Sequence, residues 1–320
     1  MASFSEWVGG ARPRTLPVAF SPVAVGTGAA YAVGRAGWAE VVLALVVSLA
    51  LQIGVNYAND YSDGIRGTDE VRVGPIRLVG QRLAAPGEVK VAAFGFFGLA
   101  GLAGLTLVAI SQAWWLLLVG AVCIVAAWYY TGGSRPYGYR GLGEVFVFVF
   151  FGLVATLGSE YVQEGGVTWT GALGSVGVGA LASAILVANN LRDIPTDVEH
   201  GKRTLAVRLG DRGTRRLYLA LVAVSLVVVL GCAALGWTGT GGGAGGGAGA
   251  GGGGVGGGAA AGAPTALLAL AAYGLARPLL RVLRSGATGR DLIPVLAGTG
   301  RFQLVWSALL AVGIAAAPHL

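Results

Sequence analysis

Nine apolar stretches recur along this 320-residue chain, over roughly 16–34, 39–58, 91–110, 114–131, 144–162, 170–190, 217–238, 264–283 and 302–318. Each approaches or reaches the roughly 17–25 residues that a helix needs to cross a bilayer. Within lipid every backbone N–H and C=O must find its partner inside the segment, so stretches of this kind are read as helices. A mean hydropathy of +0.71, with 55% apolar and only 12% charged residues, excludes an ordinary soluble domain. Pro17, Pro22 and Gly26 interrupt the first stretch and Pro278 the eighth, breaks that membrane helices tolerate. The chain is therefore expected to be an all-α integral membrane protein of about nine transmembrane helices, forming one polytopic domain over 1–320.

Charge placement tests that count. If the loops alternate sides, one side receives 21 of the 22 Lys and Arg residues and the other only Arg35. The excess of positive charge marks the cytoplasmic side. The amino terminus and the basic loops are thus expected inside and the carboxyl terminus outside. The net charge of +7 is accounted for by topology, leaving no case for nucleic acid as a partner. Arg12 and Arg14 followed by an apolar run and Ala30-Tyr31-Ala32 imitate a secretory signal, but the prolines and the further spans favour a retained helix. Cys123 and Cys232 fall within spans and read as buried small hydrophobes, with no disulfide or zinc pattern. Residues 239–263 are Gly/Ala-rich and uncharged, a non-cytoplasmic loop without a catalytic role.

The chemistry concentrates in two short segments. The chain has only fifteen acids, and five of them, Asp60, Asp63, Asp69, Asp193 and Asp197, lie where an apolar stretch meets a basic loop. Asp60 and Asp63 are spaced i,i+3 and Asp193 and Asp197 i,i+4, so on a helix each pair shares a face. Pro195 interrupts the second motif, where a distorted turn is expected. Asn59 precedes the first pair and Asn189-Asn190 the second. The first loop adds Arg72 and Arg77, the second Lys202 and Arg203. A single Asp-x-x-Asp would pass for a solvated loop. Two at the same depth, each ringed by cations, fit a Mg²⁺ site holding a diphosphate, with carboxylates on the metal and Arg or Lys on the phosphates.

These residues resemble the UbiA-type intramembrane prenyltransferases, which carry Asn-Asp-x-x-Asp after the second helix and Asp-x-x-x-Asp-x-x-x-Gly after the sixth. Here those motifs are Asn59-Asp60-x-x-Asp63 and Asp193-x-x-x-Asp197-x-x-x-Gly201. Arg12-Pro13-Arg14-Thr15-Leu16-Pro17, Tyr130-Thr131-Gly132-Gly133, Gly141-Leu142-Gly143-Glu144 and Gly201-Lys202-Arg203-Thr204-Leu205 are similar to the branch that prenylates 1,4-dihydroxy-2-naphthoate. Many members of the superfamily place a further Asp where this chain has Gly67, and Asp69 follows two residues later.

The resemblance implies a helical bundle with a central cavity, in a bacterial inner membrane. It implies Mg²⁺ as cofactor, and a polyprenyl diphosphate and an aromatic acceptor as partners in the bilayer. Asp60, Asp63, Asp193 and Asp197 would hold the metal, with Asp69 ranked below them. Arg72, Arg77, Lys202 and Arg203 would bind phosphate, with Arg135 a weaker candidate. Arg12 or Arg14 would meet an acceptor carboxylate. Glu144 would orient the acceptor hydroxyl or take its proton, or else is simply an acid favoured at a helix start. Phe146, Phe148, Phe150 and Phe151 would wall an allylic cation, or else supply packing bulk. Another aromatic acceptor, such as 4-hydroxybenzoate, stays open. So does a transporter, although the acids gather near one face with no relay toward the other.

Overall fold

The computed structural model describes residues 2–67, 76–235 and 263–319. Asp69, Arg72 and nearly all of the Gly/Ala-rich loop lie outside the described residues. Regular structure in the described residues is helical throughout. It comprises α1 (Phe4–Gly10), α2 (Pro17–Ala32), α3 (Trp38–Gly64), α4 (Pro86–Ser111), α5 (Leu116–Tyr129), α6 (Gly143–Glu164), α7 (Trp169–Glu199), α8 (Leu205–Ala234), α9 (Pro264–Arg284) and α10 (Gly289–His319). Helices stand at all nine expected positions. Seven of them, α3, α4 and α6 to α10, are long and apolar enough to cross a membrane. At 1.5 Å per residue α2 and α5 reach only about 24 and 21 Å, short of a hydrocarbon core of about 30 Å.

The polar ends of the helices explain why hydropathy marked boundaries too early. α3 runs on to Gly64 and carries Asn59, Asp60 and Asp63 on the helix itself. α7 continues through Pro195 to Glu199, so the expected distorted turn is instead helix. Pro195 removes a single N–H donor close to the end of the helix, and the next turn closes with the His200 N–H donating to the Thr196 carbonyl at 3.1 Å. The second basic loop is also shorter than expected. Thr204 caps α8 by accepting from the Val207 N–H at 3.4 Å, and Gly210, at φ 66° and ψ 178°, breaks its first turns.

Among the described residues four apolar clusters form, and the two largest stand apart. One, around Tyr57, Leu78, Val89 and Phe97, packs α3 on α4 with α1 at its edge. The other, around Leu181, Tyr218, Phe302 and Trp306, joins α2, α7, α8, α9 and α10. α6 bridges them. Its Phe148–Val154 stretch is π-helical, an irregularity often found beside functional sites. α6 also meets α7 backbone to backbone. A Cβ on Gly152 would lie 2.5 Å from the Gly179 Cα, so this approach requires glycine. Between the two clusters lies a cavity of about 610 Å³.

Candidate active site

The cavity is polar at one end and apolar along the rest of its length. α3 supplies a stripe, Gln52, Asn56, Asn59 and Asp63, that follows helical spacing toward the carboxyl-terminal end of the helix. Arg12, Arg77, Asn189, Asn190, Arg192, Asp197 and Lys202 complete the polar end. The charged wall residues thus comprise four cations against two carboxylates, an excess of two positive charges suited to a polyanion. Beyond it, α4, α5 and α6 present Gly101, Gly104, Leu117, Ile124, Phe150 and Val162. Phe146 and Phe151 also face the cavity, while Phe148 does not and packs instead over Gly179. α5 packs on α3 and α4, and Leu116 at its start meets the cluster that holds Val162 of α6.

The two motifs meet through Lys202. Its Nζ lies 3.6 Å from Asp63 Oδ1, and its backbone N–H donates to the Asp197 carbonyl at 2.8 Å. Lys202 also sits 4.4 Å above the ring of Tyr139, whose phenol donates to Asp63 Oδ1. Thr204 Oγ1 donates to Asp197 Oδ2 at 3.2 Å. Asp63 and Asp197 therefore share the polar end and face the cavity.

The other members of the motifs hold the wall from behind. Asp60 is fully buried and accepts from the N–H groups of Leu78 and Val79 at 2.7 and 3.1 Å, so it fixes the turn that carries Arg77. Asp193 is gripped on both oxygens by Arg192, at 2.7 and 2.9 Å, and receives Asn189 Nδ2 at 3.3 Å. Neither Asp60 nor Asp193 lines the cavity. Asn59 accepts from Thr131 Oγ1 at 2.7 Å. Glu144 is buried just behind the wall, where Asn190 Nδ2 donates to its Oε1 at 2.9 Å and its Oε2 has no hydrogen-bond partner among the described residues.

Arg12 and Arg14 are separated by the fold. Arg12 adopts a left-handed backbone, φ 55°, and lines the cavity, whereas Arg14 does not. The Arg12 turn is held by Thr15 Oγ1, which donates to the Arg12 carbonyl at 2.9 Å and accepts from Gln52 and Asn56, each at 3.2 Å. Arg135 and Arg203 are exposed and off the cavity wall.

Tyr139, Arg192, Gln52 and Asn56 are site residues that the motifs did not single out. The last two carried a signal, since amides spaced i,i+4 inside an apolar stretch need a polar partner. Tyr139 had none, because its partners lie in segments far from it along the chain.

The residues at the polar end fit a hard divalent cation completed by substrate oxygens. Mg²⁺ commonly takes one or two carboxylates together with phosphate oxygens. Asp63 and Asp197 supply two carboxylates, and the ammonium of Lys202 beside Asp63 shows that the place accommodates positive charge. Among the described residues no group of three or more His, Cys, Asp or Glu side chains gathers to hold a metal alone.

The UbiA prenyltransferase family model matches residues 19–256. The chain belongs to the UbiA prenyltransferase family. It is a multi-pass membrane enzyme that transfers prenyl groups. The 1,4-dihydroxy-2-naphthoate octaprenyltransferase of Mycobacterium tuberculosis is 52% identical over 98% of both chains. The protein of the same name from Escherichia coli is 41% identical over 72% of this chain and 75% of its own. UbiA-fold structures agree with the helical architecture. An apo UbiA homolog from Aeropyrum pernix superposes with a TM-score of 0.64 at 15% identity, covering 93% of this chain and 96% of that one. A homolog from Archaeoglobus fulgidus bound to GPP and Mg²⁺ gives 0.59 at 15% identity, covering 95% and 99%.

Proposed function

We propose that this UbiA enzyme transfers a polyprenyl group from polyprenyl diphosphate to 1,4-dihydroxy-2-naphthoate, with loss of the carboxylate, giving demethylmenaquinol. The observation that carries the transfer is the cavity itself: one electropositive end with two carboxylates, continued by an apolar channel fit for an isoprenoid tail. The naphthoate acceptor is supported by the names of the relatives similar along nearly the whole chain.

In the reaction the allylic C1–O bond breaks and its electron pair leaves on pyrophosphate. The ring carbon bearing the carboxylate forms the new C–C bond. CO₂ then departs, and the pair that bound it restores the aromatic ring. Arg77, Arg192 and Lys202 hold the diphosphate and its leaving charge at the polar end. Mg²⁺ held by Asp63 and Asp197 would supply Lewis-acid neutralisation of the departing oxygens. Asp60 and Asp193 position Arg77 and Arg192, and Asp69 and Arg72 remain candidates for the same cluster. The rings of Phe146, Phe150 and Phe151 line the cavity where allylic positive charge develops. Arg12 meets the acceptor carboxylate. Glu144 acts through Asn190, fixing an amide that faces the acceptor. The apolar walls keep water from quenching the cation.

The same reading places the enzyme in the bacterial inner membrane, with its amino terminus and active-site loops cytoplasmic and its carboxyl terminus outside. Residues 1–320 act as one unit. The test is a transfer assay on wild type and Asp63→Asn, with the product identified by mass. The reading expects a metal-dependent product lighter by one CO₂ than the simple adduct, nearly absent in the variant. A product that retains the carboxylate would overturn the decarboxylation. Full activity in the variant would overturn the site.

A further inference from the structure

α10 has a second concave face, directed away from the reaction cavity. Leu296 lines the cavity, whereas Pro294, Ala297 and Arg301 line a groove of about 640 Å³ between α9, α10 and the turn that enters α2. The floor is apolar, with Leu275 and Leu279 from α9 and Ile293 from α10. Two cations stand on it, Arg14 and Arg301, and no acidic residue lines it among the described residues. Both arginines are exposed, and neither side chain forms a hydrogen bond or ion pair with another described residue.

Arg301 is the informative member. The α-helical part of α10 begins at Ile293, so Arg301 lies about 12 Å along the helix, at the edge of the apolar stretch 302–318. An arginine at the edge of a span stands at headgroup depth, where anionic lipid attracts it. Arg14, at the mouth of α2, shares the groove and brings a second guanidinium to it. Paired guanidiniums suit a phosphate, and the apolar floor between them suits an acyl chain.

We propose that this groove binds an anionic phospholipid of the cytoplasmic leaflet, its phosphate held by Arg14 and Arg301 and one acyl chain lying against Leu275, Leu279 and Ile293. Bound there, the lipid tethers the same turn whose Arg12 lines the reaction cavity on the other side.

The test uses the full-length protein in detergent, with retained lipid read by native mass spectrometry after exposure to equal phosphatidylglycerol and phosphatidylcholine. Wild type is expected to retain one phosphatidylglycerol preferentially. At about 1 kcal/mol per arginine, Arg14→Gln/Arg301→Gln should lose about 30-fold of that preference. Ala297→Phe, which fills the groove and leaves both charges, should lose it as well. Circular dichroism confirms that each variant is folded. A wild type without preference would overturn the proposal outright. An Ala297→Phe variant that keeps the preference would show diffuse surface attraction in place of a built site. Inorganic phosphate in excess should displace little of the lipid, and complete displacement by phosphate alone would show an anion site without an acyl component.

Discussion

Asp60 and Asp63 are three residues apart, yet the fold gives them different work. Asp63 faces the cavity with Lys202 and Tyr139, while Asp60 spends both oxygens on the Leu78 and Val79 N–H groups. Asp63→Asn should therefore lower transfer by about 100-fold with little loss of melting temperature. Asp60→Ala strands two buried backbone donors and should cost about 2–5 kcal/mol of stability, read as a fall in melting temperature. Equal melting temperatures for the two variants would contradict this division. Tyr139→Phe keeps the ring beneath Lys202 and removes only the phenol, so activity should fall about tenfold, by ~1.4 kcal/mol, while the protein stays folded. At this scale the sequence was partly legible. The amide stripe of α3, with Asp63 continuing it, follows from helical spacing, whereas the division of each carboxylate pair, with Asp60 and Asp193 off the cavity, does not. The contrast between Arg12 and Arg14 does not, because it depends on a left-handed backbone at Arg12 that hydropathy and charge do not report.

Hydropathy located the helices because it reports burial in lipid, and it misplaced their ends because hydrogen bonding carries a helix past the apolar boundary. The motif segments of α3 and α7 are helical for that reason, which puts their side chains in fixed register on the cavity. The π-helical stretch of α6 left no trace in composition, since Phe, Val, Leu and Gly serve either helix equally. Its partner contact is testable. Gly152→Val sets side-chain atoms against the Gly179 backbone, 2.5 Å from where the Cβ would stand. It should force α6 from α7, destabilise the protein by about 1–3 kcal/mol, and displace Phe150 and Phe151 from the cavity. A variant with wild-type melting temperature and rate would show that this close approach is dispensable.

Across the molecule, the assignment of 21 of the 22 Lys and Arg residues to one side of the alternating loops was legible in the sequence, and the proposed orientation rests on it. The meeting of two helical clusters around one cavity was not, because it depends on which apolar faces pair, and every stretch is apolar on most sides. The orientation has a direct check. An impermeant thiol reagent should label Arg35→Cys from outside intact cells and Arg284→Cys only after lysis, in a background lacking Cys123 and Cys232. The reverse pattern would invert the topology. The central claim rests on the acceptor and the metal together. Purified enzyme would receive polyprenyl diphosphate with 1,4-dihydroxy-2-naphthoate or 4-hydroxybenzoate in parallel, each with and without Mg²⁺. The account predicts demethylmenaquinol from the naphthoate reaction with Mg²⁺ and no product in the other three. Product from hydroxybenzoate alone, or transfer undiminished without divalent metal, would contradict it.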